Sequence, residues 1–301
     1  MLGKLFGRKK GPKVGFIARV KQAFSLDRLM GLGLLVVFLG IFVTEPYPLE
    51  FLRIKTFDFF QKQKPRTIPE PRFKPVTIID LDEKSLNEIG QWPWPRTTVA
   101  RMVNNLMKMG AVLVAFDIVF AEPDRLNPTG LAKSIPGLDK ETREKLSRLQ
   151  SNDAVFGRIL KRSRVVLGQS AFWEDREIKA EPPKHKSVAI RSQKGVDAKK
   201  FLPHIPDIIR NIPVIEKNGK GHGMFTLIPE PDGIVRRVPT LFVYKDKFFP
   251  ALTVEMLRVA FQRPTILVEA DVAGISRIKI ANKRMFPPKG LTLETDSKGR
   301  V

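Results

Sequence analysis

The chain has 301 residues, and its hydrophobic fraction of 43% excludes wholesale disorder, because a disordered chain lacks the apolar side chains that offset ordering entropy. The absence of cysteine excludes a disulfide scaffold, an iron–sulfur cluster and a thiolate zinc site. With 53 Lys and Arg against 31 Asp and Glu the formal net charge is +22, which first suggests a nucleic-acid partner, so the position of that charge matters.

Residues 1–28 hold eight basic side chains (Lys4, Arg8, Lys9, Lys10, Lys13, Arg19, Lys21 and Arg28) and one acid, Asp27, for a net +7. Ile17, Val20 and Phe24 fall on one helical face there, a pattern that suits an anionic leaflet. Leu29 to Thr44 then runs without a charge and stops at Glu45-Pro46-Tyr47-Pro48. Sixteen residues rise roughly 24 Å against a hydrocarbon core of ~30 Å, a gap that snorkelling by Arg28 and local thinning can close. A cleaved signal peptide and a buried core helix are the competing readings. The long basic region, the absence of a small-x-small cleavage site and the uninterrupted apolar run favour a membrane helix over both. The expectation is a basic cytoplasmic arm over 1–27 and a transmembrane helix over 28–45, with everything after it translocated. The other +15 is spread over residues 45–301, apart from basic patches at Lys161-Arg162-Ser163-Arg164 and between Lys179 and Lys200.

Residues 46–75 read as a membrane-proximal tether, extended over 61–75, where four Pro and five Lys or Arg occur. Val76–Asp82 is a β-branched run that predicts a buried strand. Pro95–Met109 predicts a helix with Val99, Met102, Val103 and Leu106 on one face, closed by Gly110. Ala111–Asp117 predicts a second strand, completing the βαβ pattern of a parallel sheet. Further along, Asp139–Arg162 predicts one charged surface helix, Val165–Gly168 a strand, and residues 174–200 an exposed loop. Strands are expected at Gly223–Ile228 and Val235–Val243, with a turn at Asp232-Gly233 and a hairpin step at Tyr244–Lys247. Phe249–Gln262 predicts a helix, and Ile266–Val268 and Ile275–Ile280 the last strands. The fold class is α/β: an N-terminal transmembrane helix, then a mostly parallel or mixed sheet domain flanked by helices.

Asp80 and Asp82 leave the first expected strand, and Asp117, Glu122 and Asp124 the second, at the edge where parallel sheets build their sites. Such carboxylates either meet a hard cation or cationic ligand or cap a helix or turn. Trp92-Pro93-Trp94-Pro95-Arg96 is either an aromatic rim that clamps a ligand or a rigid loop plugging the sheet edge, with Arg96 paired to one of those aspartates. No phosphate-cradling loop, Gly-x-Ser-x-Gly or His-Glu-x-x-His occurs, and His185, His204 and His222 lack ligand spacing. No catalytic residue, metal or cofactor is therefore expected. The lack of a concentrated basic helix with base-reading side chains argues against nucleic acid as a partner.

The stretches Phe57-Asp58, Ile79-Asp80-x-x-x-x-Ser85, Gly90-x-Trp92-Pro93-Trp94-Pro95-Arg96, Gly110-Ala111, Phe116-Asp117-Ile118-Val119-Phe120, Glu122-Pro123-Asp124, Gly223, Asp232-Gly233-x-x-Arg236-Arg237-x-Pro239 and Phe249-Pro250-Ala251-Leu252 together resemble one family. It is the second class of CHASE domains, extracytoplasmic sensors of bacterial adenylate or guanylate cyclases, histidine kinases and related receptors. The resemblance runs from about residue 50 to the C-terminus. It implies a sensor domain over 76–301, periplasmic or extracellular, held at the inner membrane by the helix before it, and is compatible with a homodimer. Its ligand would be an unidentified small molecule or envelope component, with Asp80, Asp82, Trp92, Trp94, Arg96, Asp117 and Asp124 as the candidate binding residues. In the family, further membrane helices and an output domain follow. Asp296-Ser297-Lys298-Gly299-Arg300-Val301 resembles the turn into the family's last strands, so the chain reads as a fragment or truncated product without its output. The rival expectations are an envelope protein-interaction module without signalling output, a polyanion binder, and an enzyme using the acidic cluster.

Overall fold

The computed structural model describes residues 26–44, 46–65, 67, 76–174, 188–262, 265–281 and 291–301. It divides into two compact units, Met1–Thr77 and Ile78–Val301. In the first, helix α1 (Leu26–Thr44) begins earlier than the uncharged run and takes Asp27 and Arg28 into its first turn. Its 19 residues rise about 28 Å, and with a mean hydropathy of 2.1 it is long and apolar enough to cross a membrane. None of its side chains is buried, and it is apolar all round rather than on one stripe. Helix α2 (Tyr47–Gln63) follows Pro46 and includes the first residues of the segment expected to be extended; Arg66 and residues 68–75 lie outside the described residues.

The strand expected at Val76–Asp82 does not form. Its backbone pairs with no described strand, Ile78 is 87% exposed, and the chain turns at Asp82 into helix α3 (Glu83–Ile89). β-Branched residues favour an extended backbone, but only a neighbouring strand turns it into sheet. Helix α4 (Arg96–Lys108) matches its expected span and buries Val99, Ala100 and Val103. Of the second expected strand only β1 (Val114–Ala115) is formed. The helix expected over Asp139–Arg162 is two, α6 (Lys140–Arg148) and α7 (Asn152–Arg162), because Leu149 and Ser151 take extended backbone between them. A short helix missing from the sequence reading, α5 (Pro128–Ser134), starts at an Asn-Pro step, which suits a helix N-terminus.

Strand β2 (Val165–Phe172) is the centre of the first sheet. It pairs in parallel with β1 and with β5 (Gly221–Met224), and antiparallel with β4 (Asp207–Ile209), so the sheet is mixed. The parallel strands begin at one edge, with Val114 opposite Val165 and Val166 opposite Gly221. A one-turn helix, α8 (Pro213–Glu216), precedes β5.

The second sheet has the order β10-β9-β8-β3, with β3 (Val188–Ser192), β8 (Thr265–Asp271), β9 (Gly274–Ala281) and β10 (Leu291–Leu293). β3 and a 3-10 turn at Ala198–Phe201 lie where a loop was expected over 174–200. Only pairing with β8 makes Val188–Ser192 a strand, and its charged surroundings hide it from a reading of periodicity. Residues 175–187, including His185 and part of the Lys179–Lys200 stretch, lie outside the described residues. The expected hairpin is β6 (Leu241–Tyr244) with β7 (Lys247–Pro250), turning on Lys245 and Asp246 at φ 44° and 60°. Two positive φ values match the right-handed twist of the flanking strands. Phe249 and Pro250 belong to β7, so helix α9 is shorter than expected (Leu252–Ala260).

Two cores result. One joins α4, α7 and β2 around Phe116, Phe120 and Phe156, whose rings meet edge to face at 5.2, 6.1 and 5.3 Å. The other joins the second sheet, the hairpin and α9.

Candidate functional site

The Trp-Pro-Trp-Pro-Arg segment runs into α4 through a cis Trp92–Pro93 bond. Trp94 is buried, its Nε1 donates to Gly90 O at 2.6 Å, and Trp92 meets it edge-on at 5.8 Å. Pro95 occupies the N-cap of α4 and has no side-chain oxygen to satisfy the first backbone N–H groups. Asp124 supplies one from 28 residues further on: Arg96 N donates to its Oδ2 at 2.7 Å. The same carboxylate accepts from Leu126 N and Asn152 Nδ2, both at 2.9 Å. Asn127 performs the equivalent service for α7, where Asn152 N donates to Asn127 Oδ1 at 2.8 Å.

The side chain of Arg96 closes this clasp. Its Nη2 donates to Glu122 O at 3.2 Å, its guanidinium lies 4.6 Å from the centre of the Phe120 ring, and its Nε is 3.6 Å from Asp153 Oδ1. Asp153, in the first turn of α7, also accepts from Asp124 N and Asn127 Nδ2. Arg96, Asp124 and Asp153 are 7%, 8% and 4% exposed. A cation in the first turn of a helix opposes the helix dipole, by about 0.3–1 kcal/mol at the surface and up to ~2 kcal/mol when partly buried, and the two adjacent carboxylates act against that effect. Burial draws the Arg96 pKa below its ordinary value, while Asp153 and then Asp124 pull it back.

A groove of about 320 Å³ lies beside the clasp. Its apolar lining includes Ile79, Ile89, Trp94, Met102 and Leu106, and its polar residues are Asp80, Ser85, Thr98, Arg101 and Asn105. The volume is at the small end of ligand pockets.

The structure thus brings Trp92, Trp94, Arg96 and Asp124 to the start of α4, with Trp94 shared between clasp and groove. Asp80 lines the groove. Asp82 caps α3, its Oδ1 accepting from Ser85 N at 2.9 Å and Ser85 Oγ at 2.7 Å, which holds its carboxyl below the ordinary range. Asp117 is exposed just past β1 and makes none of these contacts. Asn127 and Asp153 were not singled out from the sequence, although Asn-Pro and an acid in a first helical turn are both N-terminus signals. Met102 and Leu106 were placed on the apolar stripe of α4, but that they line a groove depends on what faces them. No group of three or more His, Asp or Glu side chains converges on a metal position among the described residues.

The family model of the CHASE2 domain matches residues 32–299. No curated protein and no solved structure matches the chain. A match that covers most of the chain decides its family: the protein belongs to the CHASE2 domains, sensory rather than catalytic modules of signalling receptors.

Proposed function

We propose that this chain is the membrane-anchored, extracytoplasmic input module of a signalling receptor. The observation that carries the reading is the order of its parts: an N-terminal stretch with net +7, an apolar helix, then a domain of a sensory family. Lys and Arg in a short flanking segment hold it on the cytoplasmic side, and a long domain is exported regardless of its own charge. Reporter fusions after residue 60 test the topology. An alkaline phosphatase fused there is expected to be active and a fluorescent protein dark; cytoplasmic fluorescence would overturn the orientation.

The input reading centres on the groove. Its apolar lining and its five polar residues suit a small amphipathic molecule. Such a ligand shifts the domain only if it binds two arrangements unequally. The Ile79–Leu81 segment on the groove's wall, which pairs with no strand among the described residues, supports a second arrangement. Thermal-shift screening of the full chain against small amphipathic molecules is expected to find ligands that stabilise it by ~2.7 kcal/mol at a hundred times Kd. Leu106→Arg should abolish that shift while leaving the unliganded melting point nearly unchanged. Ligands whose effect survives Leu106→Arg would place the site elsewhere.

A further inference from the structure

The charge of the second unit is unevenly neutralised. Most of its buried or half-buried cations meet an acid: Arg210 with Glu216 at 2.9 Å, Arg236 with Asp232 at 2.7 Å, Arg237 with Glu230 at 2.6 Å and Lys279 with Glu269 at 2.8 Å. The edge where β1, β2 and β5 begin carries cations that are exposed, apart from the half-buried Lys220. Helix α7 ends there with Arg158, Lys161 and Arg162, the chain enters β2 through Arg164, and it enters β5 through Lys217 and Lys220. Lys161, Arg164 and Lys220 meet in space. Lys220 N donates to Val165 O at 2.8 Å and Lys220 Nζ to Lys161 O at 2.6 Å. Arg164 and Lys220 also line one concavity of about 320 Å³ with Val259 and Gln262. No Asp or Glu occurs in residues 154–170 or 217–229, and none of the six cations forms an ion pair among the described residues. The negative end of α7 accounts for roughly half a charge of this.

We propose that this basic edge binds the phosphate headgroups of an anionic phospholipid surface. The inference rests on the reading of α1 as a membrane anchor. Between α1 and the second unit stand α2, about 26 Å long, and residues 45–46 and 64–77, which together span at most about 58 Å when fully extended. A domain the size of Ile78–Val301 is itself about 45 Å across. An anchored domain therefore stays within about two of its own diameters of the leaflet, and weak contacts become effectively intramolecular. Each Lys or Arg near an anionic surface adds about 1 kcal/mol, so several acting together suffice to hold the domain down. A soluble polyanion gains nothing from the tether.

The test places the full chain in lipid nanodiscs, either of neutral phosphatidylcholine or of phosphatidylcholine mixed with anionic phosphatidylglycerol, and measures lysine acetylation by mass spectrometry. Lys161 and Lys217 are expected to react about threefold more slowly in the anionic discs, while Lys145 on α6 keeps its rate in both. High salt should remove the protection, as should the double variant Arg162→Glu/Arg164→Glu. A chain that fails to enter neutral discs overturns the anchor and this inference with it. A chain that enters both kinds of disc with equal lysine rates overturns the headgroup contact alone, as does protection that survives the double variant. Protection by soluble polyphosphate with none from anionic discs assigns the edge to a soluble polyanion and overturns the lipid.

Discussion

Replacing Arg96 by alanine is expected to destabilise the domain by about 3 kcal/mol, read as a lower midpoint of urea unfolding. The guanidinium is 7% exposed, and its loss leaves Asp153 buried without its cation and Glu122 O without its donor. Removal of one partner of a buried pair typically costs ~3–5 kcal/mol. The lower end applies because Arg96 Nε has no hydrogen-bond partner and lies 3.6 Å from Asp153, so the native pair is imperfect. Arg96→Lys should recover only part of the loss, since an ammonium cannot reproduce the planar contact with Phe120 and the reach to Glu122 O. If Arg96 instead acts mainly as a ligand clamp, its alanine variant will unfold within about 1 kcal/mol of the native protein, and the clasp will not be what orders the loop at Glu122–Asn127.

Glu255→Ala is expected to be at least as damaging, at about 3–5 kcal/mol by the same measurement. Glu255 is fully buried on α9 and accepts from Arg258 Nε at 2.6 Å, from Arg258 Nη2, and from His222 N on β5 at 3.1 Å. The fit between strand and helix is close: a Cβ on Gly221 would overlap the Glu255 carboxylate, so only glycine allows this approach. Truncating Glu255 leaves a buried guanidinium without its carboxylate and removes the bond from His222 N. The double variant Glu255→Leu/Arg258→Met should restore most of the stability, because apolar groups of similar volume often replace a buried pair without loss. A double variant no better than Glu255→Ala would show that the His222 bond, not the ion pair, dominates.

These two residues mark the limits of a reading from sequence. Arg96 stood out because two Trp and two Pro frame it, but the expected partner was one of the acids between Asp80 and Asp124, whereas its guanidinium meets Asp153 and Asp124 takes its backbone N–H. Asp153 and Asn127 did not stand out, since their partners lie 57 and 25 residues away, at Arg96 and Asn152, and a cap delivered across space has no local spacing rule. Glu255 and Arg258 read as an ordinary i,i+3 pair on a helix, and nothing local places them in a core. Helix α4 was legible almost to the residue because Pro95, the 3.6-residue stripe and Gly110 act within one segment. The run Val76–Asp82 was misread for the converse reason: β-branching records a preference for extended backbone, and the partner that would make it a strand is elsewhere.

By itself the sequence determined the family, the α/β class, and an apolar helix behind a basic arm, because each depends on the order and composition of contiguous residues. Tertiary structure decided which strands pair, which helix receives its cap from another loop, where the groove opens, and that the cations at the end of α7, Arg164, Lys217 and Lys220, which form no ion pair among the described residues, lie at one edge. Each of these is a relation between residues tens of positions apart. Its free energy exists only once the chain has brought them together, and no local pattern records it.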